Sequence, residues 1–216
     1  MDHVGDRYDT GVHVQKNEIV RKRIAFFDFD GTITRKDTLL EFIKFAKGTG
    51  NFYAGFLLFS PYLVAFKLKI ISNQTAKDKI LWFFFRNTPV ADFEKKCVEF
   101  AEKALPALLR PKALREIKDL KEQGVQVVVV SASPENWIMP WISGMNLSLI
   151  ATKLQVKNSL LTGRIMDSNC HGEEKVNRIR QNYILADYDE ILAYGDSSGD
   201  RPMLKLASKS FYKPFR

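Results

Sequence analysis

Residues 24–32 read IAFFDFDGT, and this stretch decides the fold. The apolar run over residues 24–29 predicts a buried strand, which a turn at Gly31 ends. Asp28 and Asp30 stand at the end of that run, where two carboxylates are costly to bury without a cation. If the strand continues through both positions, their side chains face the same way, towards a common ligand.

The chain beyond residue 110 alternates between strand and helix patterns. Residues 125–130 are rich in valine, as is typical of a buried strand, and Gly124 ends the amphipathic helix before it. Further strands are predicted at 147–152, 190–194 and 210–212, a hairpin at 154–165, and helices at 113–123, 134–145, 173–184 and 202–207. Strands that alternate with helices indicate an α/β fold with a doubly wound, mostly parallel, Rossmann-like sheet.

Residues 37–109 interrupt that alternation, because they carry only helical signals. Thr38 and the residues after it predict the capped start of a helix that continues through Phe45, and Thr88-Pro89 opens another helix that runs to about Leu105. We therefore predict a helical cap inserted after the first strand. The predicted regions are a flexible tail at 1–22, a catalytic core at 23–36 and 110–216, and the cap at 37–109.

Polar side chains follow three of the predicted strands. Asp28 and Asp30 end the first strand, Ser131 ends the second, and Asp196 follows the strand at 190–194. Ligands of open α/β sheets bind outside the carboxyl ends of the strands. We therefore expect these side chains to meet at one site, which Lys175 joins from the start of a helix.

Four motifs, in this order, resemble those of the haloacid dehalogenase (HAD) superfamily. They are Asp28-Phe29-Asp30-Gly31-Thr32, then Ser131, then Lys175 within Gly172-Glu173-Glu174-Lys175-Val176, and finally Gly195-Asp196-Ser197-Ser198-Gly199-Asp200. The resemblance covers the chain from about residue 24 onward. It implies a magnesium-dependent phosphatase in which Asp28 attacks phosphorus and forms an aspartyl-phosphate.

The same resemblance implies a role for each motif residue. Asp30 would be the general acid that protonates the leaving oxygen, and later the general base that activates water. The residues implied for Mg²⁺ are Asp28 and Asp196 through their side chains, Asp30 through its carbonyl, and Asp200 in support. The residues implied for phosphate are Thr32, Ser131, Ala132 and Lys175. Asp200 precedes Arg201-Pro202, so an N-cap is an alternative role for it.

Composition and cysteine usage limit the classes of partner. A net charge of +8 and a pI near 9.4 favour anionic partners, which include phosphate substrates, nucleic acid and anionic lipid surfaces. Basic residues do not interleave with aromatic ones, so we expect no nucleic-acid partner. Cys97 and Cys170 lack a CxxC spacing, which argues against a disulfide framework and favours the cytoplasm. The adjacent Cys170 and His171 are not expected to ligate a metal together.

The helical cap between the first two motifs resembles HAD subfamily IB, which includes phosphoserine phosphatases and phosphatidylglycerophosphatases of the C type. Gly31 and the sequence Ser131-Ala132-Ser133 depart from the usual phosphoserine phosphatase motifs, and Asp37 only approximates the acid that reads the substrate amine. The apolar cap is closer to the phosphatidylglycerophosphatase C type. This resemblance implies a lipid-like phosphate such as phosphatidylglycerophosphate as the substrate.

Several alternatives stay open. The chain could act on phosphoserine or another small metabolite, transfer the phosphoryl group to an acceptor other than water, or only bind ligands on the same fold. The uncharged stretch that begins at Phe52 is too short for a transmembrane helix, and Pro61 would kink it. It could instead fill the cap core, touch an anionic membrane peripherally or form a dimer interface. The sequence does not indicate the oligomeric state.

Overall fold

The computed structural model describes residues 21–61 and 72–216. Nearly all of the predicted tail at 1–22 therefore lies outside the described residues. The second half of the apolar segment 52–71, which includes Tyr62 and Phe66, also lies outside them. Within the described ranges, no helix has both the length and the apolar character needed to cross a membrane.

A sheet of six strands forms the core of the described chain. The strands are β1 (Arg23–Phe27), β2 (Gln126–Pro134), β3 (Ser148–Lys157), β4 (Leu160–Met166), β5 (Glu190–Gly195) and β6 (Lys209–Tyr212). Their spatial order is β4-β3-β2-β1-β5-β6, and every neighbouring pair is parallel except the antiparallel β3 and β4. The predicted doubly wound, mostly parallel sheet is confirmed.

Helices lie on both sides of this sheet. Among the described residues, the helices between β1 and β2 are α1 (Thr38–Lys47), α2 (Thr49–Leu58), α3 (Asn73–Phe85), α4 (Val90–Lys103), α5 (Leu105–Leu108) and α6 (Pro111–Glu122). The later helices are α7 (Glu135–Met145), α8 (Glu173–Asn182) and α9 (Arg201–Leu206). The first five make up the inserted helical cap, whose exact sequence limits stay a prediction.

β1 lies in the middle of the sheet, and its alternating side chains fill two apolar cores. Ala25 and Phe27 belong to a core that continues into the cap, whereas Ile24 and Phe26 belong to a core under α8 and α9. All four side chains are fully buried. Such packing fixes the strand, and therefore also the position of Asp28, which follows it directly.

The end of β1 differs from the sequence prediction. The strand stops at Phe27 rather than at residue 29, and Phe29–Ile33 forms a tight helical turn. Gly31 takes a φ of 82° in this turn, a conformation that glycine adopts without steric penalty. The chain therefore turns sharply within the first motif, and Asp30 lies on the turn instead of on a continuing strand.

The start of the first cap helix also differs from the prediction by one residue. Asp37, not Thr38, is the capping residue, because its carboxylate accepts hydrogen bonds from the backbone amides of Leu39 at 2.9 Å and Leu40 at 3.3 Å. A capping carboxylate satisfies amides that have no partner within the helix. The side chain of Thr38 is thereby available to bind elsewhere.

The sheet and the cap are joined through the hairpin of β3 and β4. The predicted strand and the first arm of the predicted hairpin are one continuous strand, β3, which pairs with β2 in its first half and with β4, the second arm, in its second. The hairpin tip also pairs with the cap, since the Leu161 amide donates to the Thr88 carbonyl at 2.9 Å. Thr88-Pro89 is therefore part of this pairing, and α4 begins only at Val90.

Candidate active site

Asp28 is the first residue after β1, and its side chain is buried. Its carboxylate Oδ1 accepts a hydrogen bond from Lys175 Nζ at 2.6 Å, and Oδ2 accepts one from Thr32 Oγ1 at 3.0 Å. Burial raises the pKa of Asp28 to about 7; Lys175 opposes this shift, and Asp200 adds to it. A divalent cation beside this carboxylate would lower its pKa again and keep it ionised at neutral pH.

Lys175, from the first turn of α8, lies at the centre of a buried charge network. Its ammonium group donates to Asp28 Oδ1 at 2.6 Å, Asp200 Oδ1 at 2.7 Å and the Val130 carbonyl at 2.8 Å. Burial alone would lower the pKa of Lys175, but the two carboxylates outweigh it and raise the pKa above its usual value. Because an ammonium group carries three protons, all the donors of Lys175 have partners.

Asp200 connects this network to the loop that follows β5. Its Oδ2 accepts hydrogen bonds from the amides of Asp196 at 3.1 Å and Ser197 at 2.9 Å, and from the Ser197 hydroxyl at 2.7 Å. Burial alone would raise the pKa of Asp200, but Lys175 and these donors hold it below its usual value. Asp200 thus stays ionised and fixes the loop that carries Asp196.

Three carboxylates converge at the carboxyl ends of β1 and β5. Oxygen atoms of Asp28, Asp196 and Asp200 lie within 4.8 Å of one another. Gly31 makes this approach feasible, because a Cβ atom there would overlap the Asp196 carboxylate. Clustered oxygen ligands are the donor set that Mg²⁺ prefers, so these residues fit the metal that the sequence predicts. Arg216 also forms an ion pair with Asp196.

Asp30 reaches the same site from the turn after β1. Its Oδ1 accepts hydrogen bonds from the Thr38 amide and the Thr38 hydroxyl, both at 2.6 Å. The Trp137 indole donates to the same hydroxyl oxygen at 3.1 Å, which fixes the threonine. The expectation that Asp28 and Asp30 share a continuing strand is wrong, but the turn and Thr38 bring Asp30 to the cavity that Asp28 faces.

The residues predicted to bind phosphate lie after β1, in the last half of β2 and at the start of α8; Ser131 does not end its strand as predicted, because β2 continues to Pro134. The hydroxyl of Thr32 binds the Asp28 carboxylate, and Ser131 is fully buried with its Oγ accepting from the Ser133 amide at 3.0 Å. Ala132, the next residue, lines the cavity. The phosphate-binding roles of Thr32, Ser131, Ala132 and Lys175 stay predictions.

A cavity of about 240 Å³ opens over this cluster. Of the predicted residues, those that line it are Asp28, Asp30, Ala132, Lys175 and Asp200. Asp37, which the sequence analysis compares with the acid that reads a substrate amine, lines it too, and the lining residues without a predicted role are Asn73, Lys77, Ser133, His171 and Ser197. Lys77 belongs to α3 of the cap, and no motif in the sequence marks it. Ser133 and His171 lie within a few residues of the second and third motifs, which was the available signal.

His171 and Cys170 are adjacent in sequence but lie in different environments. The Cys170 side chain is fully buried in an apolar core, whereas the His171 ring lies against Gly199, where a Cβ atom would overlap it. Burial lowers the pKa of His171, and the positive charges of Lys175 and Lys77 lower it further. The imidazole is therefore neutral at pH 7 and can take part in hydrogen bonds at the cavity wall.

Comparisons with known proteins identify chains that are similar to this one. A family model described as haloacid dehalogenase-like hydrolase matches residues 25–205. Protein CicA of Caulobacter vibrioides is 34% identical over 197 residues, which cover 89% of this chain and 86% of that protein. A phosphoserine phosphatase of Methanocaldococcus jannaschii is 25% identical over 195 residues, which cover 87% of this chain and 83% of that enzyme.

Solved structures share the fold. A Bordetella pertussis Tohama I protein of unknown function superposes with a TM-score of 0.77 at 20% identity, covering 88% of this chain and 89% of its own. A phosphoserine phosphatase with an analogue of the phospho-aspartyl intermediate superposes with a TM-score of 0.64 at 20% identity, covering 88% of this chain and 85% of its own. At this identity the likeness establishes the fold alone.

Proposed function

Because the chain belongs to the haloacid dehalogenase-like hydrolase family and is a phosphatase, we propose that it hydrolyses phosphomonoesters through an aspartyl-phosphate on Asp28. The observation that carries this proposal is the position of Asp28 between Lys175 and the other carboxylates, facing the cavity. A phosphate dianion repels a carboxylate nucleophile, so such a nucleophile needs positive charge around it. Lys175 supplies one positive charge, and the cluster of three carboxylates fits a second.

The reaction would proceed in two half-reactions. In the first, Asp28 attacks phosphorus in line with the leaving oxygen, which Asp30 protonates as general acid. In the second, Asp30 removes a proton from the attacking water, and the aspartyl-phosphate is hydrolysed. The hydrogen bonds from Thr38 to Asp30 Oδ1 leave Oδ2 to exchange the proton.

The bound metal would neutralise phosphate charge and hold the substrate oxygens in place. The residues proposed to hold it are Asp28 and Asp196 through their side chains and Asp30 through its carbonyl, with Asp200 ordering the Asp196 loop. The residues proposed for the phosphate oxygens are Thr32, Ser131, the Ala132 amide and Lys175. Fixed donors of this kind stabilise the charge that spreads over the equatorial oxygens in the transition state.

The proposal is tested by measuring phosphate release from a substrate panel with Mg²⁺, with excess chelator, and with Ca²⁺ as sole metal. The panel spans phosphoserine, sugar phosphates, nucleotides and phosphatidylglycerophosphate. We expect turnover with Mg²⁺ only, because Ca²⁺ accepts bidentate carboxylates that would occupy the attacking oxygen of Asp28. Full turnover without Mg²⁺ would contradict the proposed site. Adding an alcohol acceptor separates a hydrolase from a phosphotransferase, since only the latter forms a new phosphoester.

We further propose that the substrate phosphate is carried on a lipid-like group and that the cap touches an anionic membrane. The support is an apolar cap surface formed by Leu58, Trp82 and Phe83, which are 65%, 40% and 38% exposed. Leu58 and Trp82 border one groove, and Leu58 and Phe83 border another. Contiguous exposed apolar groups mark contact sites on proteins.

Cations flank this apolar cap surface. Arg86 stacks over the Trp82 ring at 4.3 Å, Arg164 lines the groove beside Leu58, and Lys47 lines the second groove. Near an anionic bilayer each such cation contributes about 1 kcal/mol. The deciding measurement compares kcat/KM for phosphatidylglycerophosphate in mixed micelles with kcat/KM for phosphoserine. Preference for phosphoserine, with no sedimentation on anionic vesicles, would favour a small-metabolite phosphatase instead.

A further inference from the structure

Lys77 is a cap residue whose ammonium group lies in the core site. It belongs to α3, yet its Nζ donates to the Ala132 carbonyl at 2.9 Å and to Asn169 Oδ1 at 3.3 Å. It lines the same cavity as Asp28 and Asp30. The cap therefore supplies a positive charge next to Ala132, one of the residues proposed to bind phosphate.

The donors of the two lysines are used differently. All three protons of Lys175 point to protein acceptors, namely two carboxylates and a carbonyl. Lys77 has only two hydrogen-bond acceptors and no carboxylate within ion-pair distance among residues 21–61 and 72–216. Because an ammonium group has three protons, one donor of Lys77 has no protein partner in that part of the chain.

Asn169 holds Lys77 in this orientation. Its Oδ1 accepts from Lys77 and from Thr152 Oγ1 at 3.0 Å, while its Nδ2 donates to Asn73 Oδ1 at 2.7 Å. These partners define which end of the amide faces Lys77. Thr152 also donates to the Ala132 carbonyl at 2.7 Å, so the same carbonyl binds the core threonine and the cap lysine.

Burial of the Lys77 ammonium group costs free energy unless a ligand replaces the hydration that it loses. Desolvation lowers the pKa of Lys77, while the negative charges of Asp37 and Asp30 act in the opposite direction. A half-buried ammonium group loses hydration that its neutral acceptors replace only in part. An anionic ligand oxygen would replace the rest, and the cavity beside Lys77 is where such a ligand is proposed to bind.

We propose that Lys77 is a substrate-binding residue that donates its third proton to an anionic oxygen of the phosphomonoester, and that Asn169 positions it. The inference rests on the proposed function, because it assumes that a phosphomonoester occupies the cavity. The oxygen belongs either to the reacting phosphate or to a second anionic group of the substrate. In both cases, binding of the substrate requires the cap to lie against β2 at Ala132.

The test replaces Lys77 by methionine, which keeps the length of the side chain and removes its charge. Lys79→Met is the matched control, because Lys79 lies two residues further along α3 and is exposed. We measure kcat and KM with an organic phosphomonoester, and the affinity for inorganic phosphate by calorimetry with Mg²⁺. Loss of one charged hydrogen bond predicts a fall in kcat/KM of about 10- to 100-fold in Lys77→Met, mainly through KM. Lys77→Arg is expected to recover part of it.

Inorganic phosphate identifies the oxygen. A weaker phosphate affinity in Lys77→Met assigns the contact to the reacting phosphate, whereas unchanged phosphate affinity with a raised KM assigns it to a second anionic group. Asn169→Ala should raise KM in the same direction by a smaller factor, because Lys77 keeps its charge but loses its orientation. Thermal unfolding of each variant checks that the fold is retained.

The outcomes separate this inference from the proposed function. If Lys77→Met matches Lys79→Met in kcat, KM and phosphate affinity while the wild type turns over, Lys77 binds no substrate and the inference is overturned. If the wild type neither releases nor binds phosphate, the proposed function fails first. A Lys77→Met protein that binds phosphate and substrate normally but unfolds at lower temperature would also overturn the inference, since it shows only a structural tie.

Discussion

The core site buries charged side chains, whereas the apolar cap surface exposes apolar ones. In the core, the buried Lys175 forms ion pairs with the buried carboxylates of Asp28 and Asp200. On the cap, Leu58 and Trp82 expose apolar area to solvent. Buried charges persist only when each has a partner, and exposed apolar area persists where something else is to be bound. We therefore expect the chemistry to depend on a few fixed ion pairs, and access of the proposed lipid-like substrate to depend on the apolar cap surface.

The largest effect on turnover is expected from a substitution in the core site. Asp28→Asn should abolish turnover, because an amide cannot attack phosphorus or form the covalent intermediate. The fold should survive, since burial already disfavours the charged form of Asp28 and Lys175 keeps Asp200 as a partner. Phosphate release and thermal unfolding are measured on the same preparation. Substantial turnover by Asp28→Asn would remove the nucleophile assignment.

Much of the core site could be predicted from the sequence, because polar residues of the site follow buried strands. Buried runs such as Val127–Val130 identify strands by composition alone, and the polar residue after each run falls at the carboxyl edge of the sheet. The sequence therefore predicts that Asp28 and Asp196 lie near each other. Lys175 is the fourth residue of a motif that opens a helix; the resemblance to the HAD superfamily predicts its place in the site, and its contact with Asp28 is a finding of the structure.

The parts that could not be predicted depend on contacts between distant segments. The sequence predicts Thr38 as a helix cap, yet its hydroxyl donates a hydrogen bond to Asp30. The reason is the turn at Gly31, which brings the first motif back towards α1. Lys77 reaches Ala132 across 55 positions of sequence, and no local pattern records that distance. Periodicity reports which face of a helix is buried, but not which core residue that face meets.

A smaller loss is expected from Asp30→Asn, which leaves the nucleophile in place. General acid–base catalysis contributes about 10²- to 10⁴-fold, so kcat should fall by about that factor while KM changes little. The loss should shrink with leaving groups of low pKa, which need no protonation to depart. Rates are therefore measured with substrates of graded leaving-group pKa. Equal losses in kcat across that series would place the loss in the second half-reaction, where Asp30 acts as base, whereas a normal kcat with a leaving group of high pKa would remove the proton-transfer role of Asp30.

The junction between core and cap is tested at Gly163 of β4. Gly163 has a φ of 74°, and a Cβ atom there would overlap the Trp82 backbone of α3. Gly163→Ala should therefore lower the free energy of unfolding by about 1–3 kcal/mol. Gly124→Ala is the control, because Gly124 has the same φ of 74° but a Cβ atom there meets nothing within 4 Å. Equal unfolding temperatures for the two variants would show that the hairpin does not hold the cap.

Substitutions on the apolar cap surface are expected to have the smallest effect on turnover and a clear effect on membrane binding. Leu58→Ser combined with Trp82→Ser removes exposed apolar area without touching a charge of the core site. Turnover of a small soluble phosphomonoester should stay within about twofold, because neither side chain lines the catalytic cavity. Sedimentation with phosphatidylglycerol vesicles should fall, since membrane affinity scales with the apolar area that is buried.

Ile184→Ser provides the matched control for this pair of substitutions. Ile184 is 71% exposed but lies after α8 on the core, away from the cap. It removes an exposed apolar side chain from the core, so a general effect of surface hydrophobicity would lower sedimentation in this protein too. Vesicles of phosphatidylcholine then separate apolar insertion from attraction by Arg86 and Arg164, which requires anionic lipid. If the cap variant and Ile184→Ser sediment alike, the apolar cap surface has no special contact with lipid, and its exposed side chains serve another purpose than substrate access.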